Sequence, residues 1–198
     1  TGQPKGVQIE HRHVIRLFES STTVYDFNQY DVWSFFHSYA FDFSVWEMFG
    51  ALFNGAKLTI VPYWIARSPE AFYHYLQDQK VTILSQTPSA FDQFVKMDAM
   101  MKVPLKTLRY ITFGGEAINL VTVKQWFDKY GDNSPELINM YGITETTVHV
   151  THQKLNKANI HGKNHNPIGK PLSDLSIYIL DHEQRLLPYG LVGELYIG

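Results

Sequence analysis

The chain has 198 residues, of which 44% are hydrophobic and 15% aromatic, so it can bury a core and is not a disordered segment. Its net charge is -2 and its 17 basic residues are scattered, unlike the basic stripe of a nucleic-acid-binding protein. The absence of cysteine excludes a disulfide scaffold and cysteine-ligated metal. The most apolar stretch, 46–66, is interrupted by charges and a proline, unlike a membrane span. We therefore predict a cytoplasmic globular protein that acts on small molecules or proteins, without nucleic-acid or membrane partners.

Apolar and β-branched runs alternate with helical patterns along the first 140 residues. The apolar runs predict strands buried on both faces, at 31–36, 57–61, 81–84, 108–112 and 136–140. The helical patterns predict helices at 11–25, 44–53, 69–79, 89–96 and 120–130. Such alternation implies βαβ crossovers and hence a doubly wound α/β fold, with a largely parallel sheet and helices on both faces.

The residue pattern changes at residue 166, where prolines and glycines precede short strand patterns at 175–180 and 193–197, separated by a turn at 181–185. We therefore predict an α/β core over 1–165 and the start of a β-rich, barrel-like subdomain over 166–198. The first residue is not Met and the last run stops within a predicted strand. We expect the sequence to be part of a longer protein.

Two polar segments lie in the first quarter of the chain. In 1–6, two glycines free the backbone to wrap a phosphate chain and Lys5 can neutralise it, although the spacing is not that of a Walker P-loop and a surface turn is the plainer interpretation. In 41–47, Asp42 stands at a helix start with Trp46 four residues later on the same face. An N-cap and a core tryptophan would explain both, but a carboxylate at this junction could also hold a substrate ammonium group.

Two further polar segments follow predicted strands. The double glycine of 112–117 permits close approach to a planar ligand, or forms a tight turn. The segment 139–147 combines an amide, an aromatic ring, a glycine, a hydroxyl and a carboxylate at one strand exit. These groups are suited to hold a base, a phosphate oxygen and a Mg²⁺ ion.

In their order and separation, the four segments and the closing Gly193-Glu194-Leu195 run resemble the core motifs of adenylation domains of nonribosomal peptide synthetases. These domains belong to an adenylate-forming superfamily with acyl-CoA ligases and luciferases. The resemblance covers essentially the whole chain. It implies an enzyme that uses ATP and Mg²⁺ to convert an amino acid into an aminoacyl-adenylate. The acyl group would then pass to the phosphopantetheine thiol of a peptidyl carrier protein, in a module that also has a condensation domain.

The resemblance also implies roles for single residues on the nucleotide side of the site. Thr144 would contact the α-phosphate and Glu145 would bind Mg²⁺, while Lys5 would belong to the phosphate loop, so that these three are the catalytic candidates. In the nucleotide-binding set, Gly2, Gly115 and Glu116 would lie beside the phosphates and adenine. Asn139 would be the amide contact and Tyr141 the stacking contact, and Gly142 and Thr144 complete the set. Ile143 stands where many relatives have proline, which we expect to loosen this turn.

On the amino-acid side, the resemblance makes Asp42 the partner of the substrate ammonium group. The implied side-chain pocket is Phe43, Trp46, Ser85, Thr112, Gly114, Met140, Val148 and His149. Its apolar members form a small box, and its polar members would be costly to bury without a hydroxyl partner. We therefore predict L-threonine as substrate. The set also resembles the pattern of threonine-activating members of the family. Ser85 and Thr112 differ from that pattern, which leaves serine and threonine analogues open as substrates.

Two alternatives remain from the sequence. A carboxylate-CoA ligase of the same superfamily is disfavoured because Asp42 would lie unpaired beside an apolar acid. The chain as given could instead be a non-catalytic binding subdomain. By resemblance, part of the phosphate loop precedes Thr1, and the ribose-binding aspartate and the bridging lysine follow Gly198, so we expect the chain alone to be inactive.

Overall fold

A computed structural model describes Gln3 and residues 6–160 and 166–198. The helices are α1 (His11–Ser21), α2 (Phe43–Phe53), α3 (Tyr63–Ala66), α4 (Pro69–Gln79), α5 (Pro88–Asp98) and α6 (Leu120–Tyr130). The strands are β1 (Val32–Phe35), β2 (Lys57–Ile60), β3 (Ile83–Gln86), β4 (Tyr110–Phe113), β5 (Glu136–Tyr141), β6 (Thr151–Leu155), β7 (Lys170–Pro171), β8 (Ile177–Leu180) and β9 (Glu194–Ile197). A 3₁₀ turn covers Thr144–Thr146.

Seven strands form one sheet in the order β2-β1-β3-β4-β5-β6-β7. The first five pair in parallel, whereas β6 and β7 are antiparallel to their neighbours. Strands β8 and β9 form a separate antiparallel pair. The predicted fold class, a doubly wound and largely parallel sheet followed by a β-rich part, is therefore confirmed.

Two apolar clusters lie on opposite faces of the large sheet. One contains Leu17 of α1 and Trp46 of α2, and the other contains Leu76 of α4 and Trp126 of α6. Successive residues of a strand point to opposite faces, so the buried strands contribute to both clusters. This double burial explains why the central strands are apolar throughout.

Helix starts follow their local capping chemistry. The side chains of Ser68 and Thr87 accept hydrogen bonds from Ala71 N and Ala90 N, and each is followed by proline in the first turn. The predicted helix 11–25 is too long, because it ends at Ser21. The hydroxyls of Thr22 and Thr23 bond back to the carbonyls of Glu19 and Ser20, which closes the last turn.

Three strands differ from the prediction. Strand β2 was expected to be buried on both faces, but it lies at the edge of the sheet with Lys57 and Ile60 exposed. Strand β6 was not predicted, because its sequence Thr-His-Gln-Lys-Leu lacks an apolar run and its place depends on pairing with β5. Strand β7 also joins the large sheet, so this sheet extends past the predicted boundary at residue 166.

Gly50 marks a close contact between α2 and β1 that gives a test of the packing. A Cβ atom added there would lie 2.3 Å from Cη2 of Trp33. We expect Gly50→Ala to lower the free energy of unfolding by about 1 to 3 kcal/mol, although alanine is the better helix former. Denaturant titration measures this change. Gly6→Ala is the control, because nothing lies within 4 Å of its added Cβ; equal stability of the two variants would contradict the packing argument.

Candidate functional site

The predicted segments meet at the carboxyl ends of the parallel strands. Asp42 follows β1, Gly115 follows β4 and Thr144 follows β5. In the order β2-β1-β3-β4-β5, the order of strands across the sheet reverses at β1. Open α/β sheets bind ligands at such a point. Sequence-distant motifs therefore form one edge of the molecule.

Two adjoining cavities open at this edge and share Gly115, Gly142 and Ile143 in their walls. The first has a volume of about 250 Å³ and is lined on its other sides by Phe41, Asp42, Phe43, Thr144, Glu145, Val148 and His149. The second, about 270 Å³, is lined by Glu116, Ala117, Asn139, Met140, Tyr141, Asn166 and Ile168. Phe41 was not among the predicted pocket residues, although the motif around Asp42 includes it.

Asp42 occupies the N-cap position of α2 but makes no side-chain capping bond to the helix. Its Oδ2 atom instead accepts a hydrogen bond from Thr144 Oγ1 at 2.7 Å, across 102 residues of sequence. The purely structural interpretation of Asp42 as a helix cap is therefore wrong. The carboxylate stands in the wall of the first cavity, beside the start of the second.

His149 is buried between two aromatic rings of the same cluster. Its ring meets Phe43 and Trp46 edge-on, with centroid distances of 5.2 and 5.1 Å. Neither ring nitrogen has a hydrogen-bond partner among the described residues. Burial lowers the pKa of His149 to about 3, and the backbone of Val148 opposes this effect by less. The imidazole is therefore neutral at pH 7 and offers one donor and one acceptor.

The backbone before His149 is folded tightly. Thr147 and Val148 both have φ of 64°, a left-handed conformation that is rare for β-branched residues. A Cβ on Gly142 would lie 2.2 Å from the carbonyl oxygen of Val148, so only glycine fits beneath this loop. Strain of this kind persists where surrounding structure imposes it, often at ligand sites. Here it directs Val148 and His149 to the cavity.

The turn at Ile143 corrects one prediction. Its backbone N–H donates to Thr146 Oγ1 at 3.2 Å, and its φ is -130°. Proline has no N–H and a φ near -65°, so it could not make this turn. Isoleucine therefore adds a hydrogen bond rather than loosening the segment.

Of the remaining predicted pocket residues, Trp46 and Gly114 pack against the His149 ring, whereas Met140 lies in the wall of the second cavity rather than the first. The buried Trp46 Nε1 and Ser85 Oγ atoms have no partner among the described residues. Thr112 differs from the prediction, because its hydroxyl is already hydrogen bonded to Tyr25 Oη at 2.9 Å. Tyr25 was missed, since no motif surrounds it. Gly114 packs against the rings, and an added Cβ would lie 3.2 Å from Cε1 of His149.

The second cavity has polar and aromatic side chains in its wall. Tyr141 is 38% exposed and offers a ring face there. The buried Asn139 side chain donates to the carbonyl oxygen of Pro167 at 2.8 Å, which ties residue 167 to the wall. Glu116 accepts hydrogen bonds from Ser89 N and Oγ at the start of α5. A direct contact of Asn139 or Glu116 with a nucleotide remains a prediction.

Glu145 is exposed in the wall of the first cavity. Its carboxylate has no hydrogen-bond or ion-pair partner within the described part of the chain. The same part contains no group of three or more acidic, His or Cys side chains that could hold a metal. A single exposed carboxylate in a cavity wall fits Mg²⁺, which usually takes one or two carboxylates together with phosphate oxygens and water. Gly2 and Lys5 lie outside the described residues.

The low pKa of His149 predicts an acid-sensitive fold. Between pH 6.5 and 3 the unfolded chain binds a proton at this position and the folded chain does not, so stability falls as pH falls below 6.5. We expect His149→Leu to reduce the loss of unfolding free energy between pH 7.5 and pH 5 by about 2 kcal/mol. Denaturant titrations at the two pH values measure it. His74→Leu, at an exposed position of α4, is the control and should not alter the loss of unfolding free energy between the two pH values. An unchanged loss in His149→Leu would contradict the argument.

The family model described as "AMP-binding enzyme" matches residues 1–198. The chain is 47% identical to a dimodular nonribosomal peptide synthase of Bacillus subtilis (strain 168) over 202 residues, covering 100% of this chain and 8% of that protein. It is 48% identical to syringomycin synthase SyrB1 of Pseudomonas syringae pv. syringae over 197 residues, covering 100% and 32%. A crystal structure of a four-domain nonribosomal peptide synthetase, bound to AMP and glycine, superposes with a TM-score of 0.85 at 29% identity, covering 100% and 14%.

The chain belongs to the AMP-binding enzyme family and, within it, to the adenylation domains of nonribosomal peptide synthetases. It spans less than a tenth of the length of some curated relatives and about a third of another. None of the helices in the described part of the chain has the length and apolar character needed to cross a bilayer.

Proposed function

We propose that the full-length protein containing this chain activates L-threonine with ATP and loads it onto the phosphopantetheine thiol of a peptidyl carrier protein. The carrier and a condensation domain would belong to the same module. The observation that carries the proposal is the hydrogen bond between Asp42 and Thr144 in the wall of the first cavity, beside a neutral His149 that has no hydrogen-bond partner among the described residues. Further support comes from the related synthetase that is bound to AMP and glycine.

In this proposal each cavity holds one substrate. Asp42 binds the ammonium group of the amino acid in the first cavity, and Tyr141 stacks on adenine in the second. Thr144, which follows the shared wall residue Ile143, would release its hydrogen bond to Asp42 and donate to the α-phosphate. The substrate carboxylate forms a bond to the α-phosphorus while the bond to pyrophosphate breaks, so the residues act by positioning both groups in line. Mg²⁺ bound at Glu145 would neutralise charge on the phosphates.

The choice of threonine rests on the unpaired polar atoms of the pocket. The neutral imidazole of His149 can donate to and accept from a hydroxyl, and Ser85 Oγ lies buried without a partner among the described residues. An alanine or valine side chain would leave such atoms unpaired, which typically costs about 1 to 3 kcal/mol each. Phe43 in the wall of the first cavity, and Trp46 packed against His149, would restrict the size of the substrate. Serine should compete, because a methyl group contributes only about 1 to 3 kcal/mol.

Amino-acid-dependent exchange of pyrophosphate into ATP by the full-length protein, measured against a panel of amino acids, tests this function. Threonine should give the highest kcat/KM, with serine as the main competitor. Transfer of labelled threonine to the carrier thiol tests the second step. A product formed with free CoA from a simple carboxylic acid would instead support the CoA-ligase alternative, and no exchange with any amino acid would support a non-catalytic domain.

The role of His149 in selectivity can be measured separately. We expect His149→Leu to lower the preference for threonine over valine by about tenfold or more, because the hydroxyl loses its partner and the methyl groups gain an apolar wall. The ratio of kcat/KM for the two amino acids in the exchange reaction gives the answer. His74→Leu is the matched control. An unchanged ratio in His149→Leu, or a wild-type preference for valine, would refute the pocket assignment.

A further inference from the structure

A buried His37–Glu47 pair lies next to the Asp42 motif and takes no part in the chemistry described above. Glu47, in the second turn of α2, is fully buried, and the side chain of His37 is 7% exposed. Burial of ionisable groups costs free energy unless they are paired and hydrogen bonded, and the contact between His37 and Glu47 offsets part of this cost.

The Glu47 carboxylate joins the end of β1 to α2. One oxygen, Oε2, accepts hydrogen bonds from the backbone N–H groups of Phe36 and His37, both at 3.0 Å. The other, Oε1, lies 2.8 Å from His37 Nδ1. Burial raises the pKa of Glu47, and the hydrogen bonds from His37 oppose the shift. The carboxylate thus supplies acceptors for two amides just beyond the strand and orients the imidazole.

The imidazole in turn packs against both neighbours of Asp42. It stacks on Phe43 with a centroid distance of 4.6 Å and an interplanar angle of 21°. It also meets the ring of Phe41 edge-on, at 5.5 Å and 78°. Both phenylalanines line the first cavity with Asp42. Since the Asp42 side chain has no capping bond to α2, these two ring contacts hold the residues on either side of it.

We propose that His37, oriented by Glu47, is a positioning residue for the Asp42 turn and thereby controls affinity for the amino acid rather than for ATP. This inference rests on the proposed amino-acid activation. Residues 41–43 face the first cavity, whereas the second cavity is lined by other residues except at its shared wall. A shift of the Asp42 carboxylate by a fraction of an ångström would weaken its contact with the ammonium group and leave the adenine contacts in place.

Three substitutions in the full-length protein separate the contacts. His37→Phe keeps an aromatic ring against Phe43 but cannot donate to Glu47, and His37→Asn keeps a donor near the Nδ1 position but lacks the ring. Glu47→Gln keeps the shape of the side chain but removes an acceptor for one of three donors. We expect His37→Phe and Glu47→Gln to raise the KM for threonine about tenfold, with the KM for ATP changing less than twofold. His74→Asn on α4 is the control.

A double-mutant cycle with Asp42→Asn tests the route through this residue. If His37 acts by placing the Asp42 carboxylate, His37→Phe should change the threonine KM less than twofold once Asp42 is asparagine. Additive effects would overturn the inference, as would an unchanged threonine KM in both single variants. Equal rises in the two KM values together with a lower Tm would assign the pair a structural role only and also overturn it. If Glu47→Gln does not fold, His37→Phe carries the test.

Failure of the proposed function gives a different result from failure of this inference. In the first case the wild-type protein shows no amino-acid-dependent exchange, which removes the basis of the inference as well. In the second case the wild-type protein is active with threonine, and only the selective effect of His37 and Glu47 on the threonine KM is absent.

Discussion

Replacement of Glu145 by glutamine in the full-length enzyme is expected to lower the rate of amino-acid activation by about 100-fold or more. Glu145 offers an exposed carboxylate beside Thr144, in the wall of the first cavity and close to the residues that this cavity shares with the second. Glutamine has nearly the same shape but no charge, so it is a poor ligand for Mg²⁺. The concentration of Mg²⁺ that gives half-maximal exchange should rise in the same variant. Pyrophosphate exchange measured over a series of Mg²⁺ concentrations provides both quantities.

The control for this experiment is Glu70→Gln, at an exposed carboxylate in the first turn of α4. Its effect on exchange should be negligible, because α4 packs on the sheet through its other face. If Glu145→Gln retains the wild-type rate and the wild-type Mg²⁺ dependence, Glu145 is an ordinary surface residue and the metal assignment fails.

Replacement of Asp42 by asparagine is expected to raise the KM for threonine by about 100-fold. Removal of one partner of a buried charge pair typically costs about 2 to 5 kcal/mol, whereas asparagine can still accept the hydrogen bond from Thr144. The rise in KM should come only from the weaker contact with the ammonium group. We therefore expect the wild-type enzyme to prefer threonine strongly over 3-hydroxybutyrate, which lacks that group, and the variant to lose most of this preference.

The ratio of kcat/KM for the two substrates, each measured separately in the exchange reaction, gives the preference. Asp78→Asn, at an exposed position of α4, serves as the matched control and should keep the wild-type ratio. A variant at Asp42 that still discriminates as the wild type does would show that the carboxylate faces the cavity without binding the ammonium group. The CoA-ligase alternative would then regain support.

Much of the fold follows from local sequence. The apolar runs and capped helices predict the parallel α/β body, and helices α4 and α6 begin and end where the pattern predicts. This works because burial on both faces of the sheet requires continuous apolar strands, and helix caps depend on a few adjacent residues. The motif at 139–147, together with the other polar segments, resembles the adenylation domains, and the comparisons confirm this family.

The residues whose role depends on distant partners could not be predicted in the same way. The sequence 151–155 has no strand pattern, and it becomes β6 only because β5 offers an edge to pair with. Strand β2 has an apolar pattern but lies at the edge of the sheet, since position in a sheet is decided by the order of crossovers. In the pocket, the hydroxyl of Thr112 is taken by Tyr25, 87 residues away.

The sequence by itself determined the fold class and indicated the family, because these depend on pattern and residue type. The tertiary structure alone decided how those residues are paired. It joined Asp42 to Thr144, left His149 unpaired between two aromatic rings, and buried Glu47 against His37. The physical reason is that a hydrogen bond or a pKa shift depends on which groups lie within a few ångströms and on how much water is excluded. When the sheet brings distant partners together, their spacing in the sequence shows neither how close they lie nor how much water is excluded.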